Sequence, residues 1–87
     1  MARFIDHHPI PSMSPEQGKA MAEHIKSVID SRKANSFGMT ALNVFMAPGE
    51  AWCYDEAPNA EAVTNSYEAI MGIKLITKDV TQVTPVV

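Results

Sequence analysis

The run Trp52-Cys53-Tyr54-Asp55-Glu56-Ala57-Pro58-Asn59-Ala60-Glu61-Ala62-Val63 constrains what this chain can fold into more than any other stretch. Trp52 to Glu56 has the aromatic-rich alternation of a half-buried strand. Pro58 cannot donate to a β-ladder, and it biases Ala57 away from the helical region, so the strand must stop there. Asn59 then suits a helix N-cap, and Glu61 puts negative charge in the first turn, where the helix dipole favours it. A strand therefore runs straight into a helix, and the only cysteine sits on that strand.

The remaining elements follow from similar signals. Arg3 to His8 reads as a first strand, with Phe4 and Ile5 as β-formers and Pro9-Ile10-Pro11 ending it. Ser14 as N-cap, Pro15 at the first helical position and Gln17 two residues on form a capping box. Met21, Ile25, Val28 and Ile29 then make one apolar stripe. Gly18 weakens the first turns by roughly 1 kcal/mol, and the helix is expected to fray through Ser31-Arg32-Lys33. Met39 to Ala47 reads as an imperfectly alternating second strand, and Pro48-Gly49 as the turn of a hairpin with the third, Ala51 to Glu56. The second helix is expected from Ala60 to Met71, with Val63, Tyr67, Ile70 and Met71 on one face and Gly72 as its stop. A last strand is expected within Asp79 to Val86, where Val80, Thr81, Val83, Thr84 and Val86 are β-branched. Ile73 to Ile76 is a candidate short edge strand.

The order β-α-β-β-α-β, with two right-handed crossovers on one antiparallel sheet, predicts an α+β, ferredoxin-like sandwich with both helices on one face. An open α+β arrangement with another strand order is the alternative. In the ferredoxin-like order the first and third strands are antiparallel neighbours at the centre. The end of the first, His7-His8, then lies beside the start of the third, Trp52-Cys53. The uncovered sheet face, with aromatic residues spread over the strands, predicts a homodimer.

Length and composition narrow the function classes. Eighty-seven residues make one domain, 1–87, with a single modest core. Seven basic against ten acidic residues, a net charge of −3 and no Lys/Arg cluster argue against nucleic-acid binding, which needs concentrated positive charge. No apolar run approaches the roughly twenty residues of a membrane span. Asp6, His7 and His8 stand where a signal peptide needs apolar residues, and a lone cysteine suits a reducing compartment, so a cytoplasmic protein is expected.

The metal-ligand inventory is His7, His8, His24 and Cys53, with the carboxylates Asp6, Asp55 and Glu56 nearby. Imidazole and thiolate suit nickel, copper or zinc. In a regular strand His7 and His8 point to opposite faces and cannot share an ion, whereas His8 shares a face with Asp6. Fraying before Pro9 would relax that restriction. The bland alternatives are solvated strand-end histidines and a small buried Cys53. His24 flanks the first helix's apolar stripe as a boundary residue, and Asp55-Glu56 reads as a solvated pair at a turn edge. Cys53 as a nucleophile would have His8 as its base, but no oxyanion donor is evident beside it. The four glycines are isolated and form no phosphate-cradling loop.

The stretch from Trp52 to Val63 resembles the Cys-Leu-Tyr-Glu-Ala-Pro-x-Ala-Glu-Ala-Val segment of a family of small bacterial and archaeal proteins. That family is catalogued as domain of unknown function 4242 and includes nickel-binding members. Phe4-Ile5-Asp6-His7-His8 resembles its first strand, Ser14-Pro15-Glu16-Gln17 its first-helix start, and the tail from Gly72 through Asp79-Val80 to Val83 its ending. The resemblance implies a ferredoxin-like dimer, with His7, His8 and Cys53 as the positions to watch for nickel. Two departures stand out. Tyr67 lies roughly where relatives often carry a histidine, and Tyr54-Asp55 replaces an apolar-aromatic pair.

Together these readings predict a cytoplasmic, non-enzymatic homodimer that binds a divalent transition metal, nickel first, through His7, His8 and Cys53, as a buffer or sensor. The alternative is a dimeric, barrel-like enzyme or small-ligand binder, related in fold to cofactor-free monooxygenases and isomerases. It would use the cavity between helices and sheet, with histidine or Tyr67 pointing inward.

Overall fold

The third strand organises the molecule. β3 (Glu50–Ala57) lies between β1 (Ala2–Pro9) and β2 (Thr40–Ala47), and β4 (Val80–Val83) closes the far edge beyond β1. The sheet order is therefore β2-β3-β1-β4, antiparallel throughout. With α1 (Pro15–Ser31) and α2 (Ala60–Ser66) as the crossovers, this is the expected ferredoxin-like α+β topology. The structure is a computed structural model describing residues 1–72, 74–75 and 79–86, with the side chain of Met71 left aside.

Burial alternates along both central strands. Phe4, Asp6 and His8 of β1 and Ala51, Cys53, Asp55 and Ala57 of β3 are buried toward the helices. Ile5, His7, Trp52, Tyr54 and Glu56 take the opposite parity and face away. Phe4 pairs with Asp55, Asp6 with Cys53 and His7 with Trp52, as the predicted juxtaposition of the two strand ends requires. β2 alternates imperfectly because it carries a bulge: Ala41 pairs with Asp55 and Asn43 with Tyr54, leaving Leu42 as the extra residue. Gly49, at φ 82°, takes the left-handed position of the β2–β3 turn.

The helix ends follow the sequence signals. Gln17 N–H donates to Ser14 Oγ at 3.2 Å, and Ser14 N–H donates to Gln17 Oε1 at 2.9 Å, completing the capping box of α1. Rather than fraying through Lys33, α1 stops at Ser31. Arg32 adopts a left-handed conformation (φ 54°), and its N–H donates to the Ile29 carbonyl. Asn59 caps α2 by accepting from the Ala62 N–H at 2.8 Å. The α-helical geometry of α2 ends at Ser66, and a π-helical turn, Tyr67–Met71, continues to Gly72 at φ 66°. The wider turn changes the face expected of this helix: Val63 and Tyr67 are buried while Ile70 is 62% exposed.

The core joins Phe4, Cys53, Ala57, Val63, Tyr67 and Val80. α1 contributes little to it. Met21, Ile25 and Ile29 are only half-buried, and no residue of the helix is fully buried. The last strand is shorter than expected, since Thr84 to Val86 are irregular. The short edge strand expected at Ile73 to Ile76 falls partly outside the described residues, and Lys74 and Leu75 are in no regular element.

Candidate metal centre

Four ionisable side chains from the two central strands meet under α2. Asp6 and His8 share a parity on β1, Cys53 and Asp55 share one on β3, and the antiparallel register brings the two pairs together. His8 Nδ1 lies 3.0 Å from Asp6 Oδ1, with both side chains essentially inaccessible to solvent. The ligand atoms of Asp6, His8 and Cys53 all lie within 4.8 Å of one another. Tyr67, from the π-helical turn, packs its ring against His8 at a centroid distance of 5.1 Å.

Burial sets the protonation of this cluster. It pushes the Asp55 carboxyl up to about 9, with hydrogen bonding and charge from Asp6 adding to the effect. Asp55 therefore keeps its proton at neutral pH. Burial, then the charge of Asp6, pushes the Cys53 thiol up to about 12, against a partial lowering by the Tyr67 hydroxyl. Burial and the neighbouring Asp55 and Asp6 also raise the Tyr67 phenol far above its ordinary range. Among the described residues, no donor reaches either oxygen of Asp55 or Oδ2 of Asp6. Buried oxygens without donors cost about 1–3 kcal/mol each.

A cation would relieve that cost. Carboxylate, imidazole and thiolate are a mixed hard and soft donor set suited to divalent nickel, zinc or cobalt. Ligands about 2.0–2.3 Å from an ion lie roughly 3–4 Å apart, so these three donors need to draw in by about an ångström. The orphaned Asp6 Oδ2 and the three convergent donors fit such an ion.

The sequence-derived candidates divide between the two sheet faces. His8 and Cys53 come together, and His7 does not join them. Because β1 is regular to its end, His7 lies on the open face, where its Nε2 sits 2.7 Å from Glu50 Oε1 and its ring stacks on Trp52 at 4.8 Å. His24 is exposed on α1, at the wall of a cavity of about 400 Å³ between α1 and the sheet. Asp6 takes the place that the sequence reading gave to His7. The turn-edge reading of Asp55 is corrected: β3 runs on to Ala57, so Asp55 is fully buried in a central strand, while Glu56 faces out and pairs with Arg3 at 3.1 Å. The available signal was parity, since Asp6 and Asp55 occupy the same alternating positions as Phe4 and Ala57. No family model, curated protein or solved structure matches the chain.

Proposed function

We propose that this protein binds a divalent transition metal, nickel foremost, through Asp6, His8 and Cys53, and acts as a metal buffer or sensor. The observation that carries the reading is the set of three buried donors within 4.8 Å of one another, on adjacent central strands. The resemblance of the Trp52–Val63 stretch and of the first strand to a family with nickel-binding members supports it. Asp55 and Tyr67 would act around the donor set, Asp55 through its charge beside Asp6 and Tyr67 by packing on His8. A bound ion would supply a fixed positive charge that holds Cys53 as thiolate, so binding releases the thiol proton.

The same proposal includes self-association through the open sheet face, where Phe45 is 61% and Ile5 40% exposed beside Trp52 and Tyr54. A reduced thiol as a ligand would suit the reducing cytoplasm, and the proposal takes that as its compartment. No helix among the described residues is long and apolar enough to cross a membrane.

Calorimetric titration of untagged, metal-free protein with Ni²⁺ tests the reading. Saturable binding is expected, lost in His8→Ala and Cys53→Ala and retained in His7→Ala. Absent binding, or heat indifferent to the first two substitutions, overturns it.

A further inference from the structure

The three donors of the candidate metal centre are closed in on most sides. Beneath them β1 and β3 pair without a break from Ala2–Ala57 to Pro9–Glu50, so the sheet itself shuts them off from the open face. Toward β4, Phe4, Val63, Tyr67, Leu75 and Val80 pack into the core. The side toward α1 is different. This helix has no fully buried residue, and a cavity of about 400 Å³ separates it from the sheet. His8 and Cys53 reach the floor of that cavity, while His24, on α1, is exposed to solvent on its wall. One space thus joins a solvent-exposed imidazole to two of the three buried donors.

Size and charge suit the passage of a hydrated ion. A divalent ion with about six waters fills roughly 180 Å³ at about 30 Å³ per water, well under the cavity volume. Val28, Met46 and Ile70 border the cavity and are each at least 40% exposed, so it opens to solvent. Its lining includes no lysine or arginine to repel a cation, and Asp6 lies behind His8 to attract one. Most of the wall is apolar. Of the polar side chains on it, Ser66 is occupied by the Ala62 carbonyl and by Asn35, and Tyr67 packs on His8. The methionine thioethers favour softer, monovalent ions. His24, His8 and Cys53 are thus the donors that a divalent ion meets along this space.

Resting on the metal-binding reading above, we infer that this cavity is the route by which the ion reaches Asp6, His8 and Cys53, and that His24 at its mouth is the capture ligand. His24 exchanges for one water of the hydrated ion, raises the ion's local concentration in the cavity and gives it up to the inner donors. It takes no part in the final site. A group that acts only on the path speeds entry and exit by the same factor and leaves the affinity where it was, whereas a ligand in the final site changes the affinity.

The test mixes Ni²⁺ with full-length, chelator-treated protein by stopped flow, with uptake followed by the thiolate-to-metal absorption of Cys53. Excess chelator added to the loaded protein gives the release rate, and calorimetry the affinity. His24→Ala should slow uptake and release alike, by at least about fivefold, with an affinity within about twofold of wild type. His24→Asp, which restores a donor at that position, should recover most of the uptake rate. At low ionic strength Val28→Lys, at the mouth, should slow uptake at least about threefold. Thr81→Lys adds the same charge on the open face, beside Ile5, and should change uptake less than about twofold. The inference is overturned if His24→Ala weakens the affinity with uptake unchanged, or if Thr81→Lys slows uptake as much as Val28→Lys. Wild-type affinity with wild-type rates in His24→Ala also overturns it, and leaves the metal reading standing. A wild type that binds no Ni²⁺ overturns both.

Discussion

Asp55→Asn should make the metal-free protein more stable at neutral pH. Asp55 is fully buried, no donor among the described residues reaches its carboxyl oxygens, and burial, with Asp6 beside it, pushes it from an ordinary 3.8 up to about 9. A raised folded-state value means that the folded protein holds this proton more tightly than the unfolded chain. The associated stability is fully present below pH 3.8, declines as pH rises, and is lost above about 9. Within that interval each pH unit removes about 1.4 kcal/mol. At pH 7, roughly three units above the ordinary value, the loss is at most about 4 kcal/mol. Asparagine keeps the shape and a donor toward Asp6 but has no proton to lose. Urea denaturation of both proteins in chelator, at pH 5, 7 and 8.5, should show the wild type weakening with pH and the variant nearly flat, the gap widening upward. A variant less stable than wild type at pH 7, or a wild type that strengthens from pH 5 to 8.5, refutes the assignment of a buried, protonated Asp55.

Three further outcomes test other parts of the structure. Cys53 is 5% exposed and its thiol is pushed from 9.0 up to about 12, so a disulfide-exchange reagent at neutral pH should label it at least about a thousandfold more slowly in the native protein than in urea; a difference under tenfold contradicts this. Val63→Ala should cost about 2 kcal/mol by thermal melting, against under about 0.5 kcal/mol for Val28→Ala, because Val63 is completely buried and Val28 is 43% exposed. On the proposed self-association, the wild type should sediment as a dimer and Phe45→Glu as a monomer with an unchanged melting temperature; a dimer that survives the substitution would exclude the open face as the interface.

The fold was legible because each boundary carried its own local chemistry. Ser14 with Gln17, Asn59, Pro48-Gly49 and Gly72 mark element ends by mechanisms that act over a few residues, and all four mark them in the structure. What escaped the sequence depended on neighbours far along the chain. The left-handed stop at Arg32 has no glycine to announce it. The bulge at Leu42 exists only relative to β3, and no residue type announces the π-helical turn after Ser66. The candidate site was half legible. Parity placed Asp6 and His8 on one face, and strand order brought Cys53 to them. Asp55 was hidden because acidic residues beside a turn are usually solvated, and only its central strand position buries it.

His7 and His8 divide one dipeptide between two environments: one ring stacks on Trp52 on the open face, the other is sealed beside Asp6. The pleat thus acts as a reading frame. A residue inserted before Ala2 would leave the frame intact, but one inserted between Phe4 and Asp6 would turn Asp6 and His8 outward and His7 inward, removing the carboxylate from beside Cys53. The parity of a single strand decides whether the three donors meet at all, so a change in the length of β1 would disperse them without altering any of their side chains.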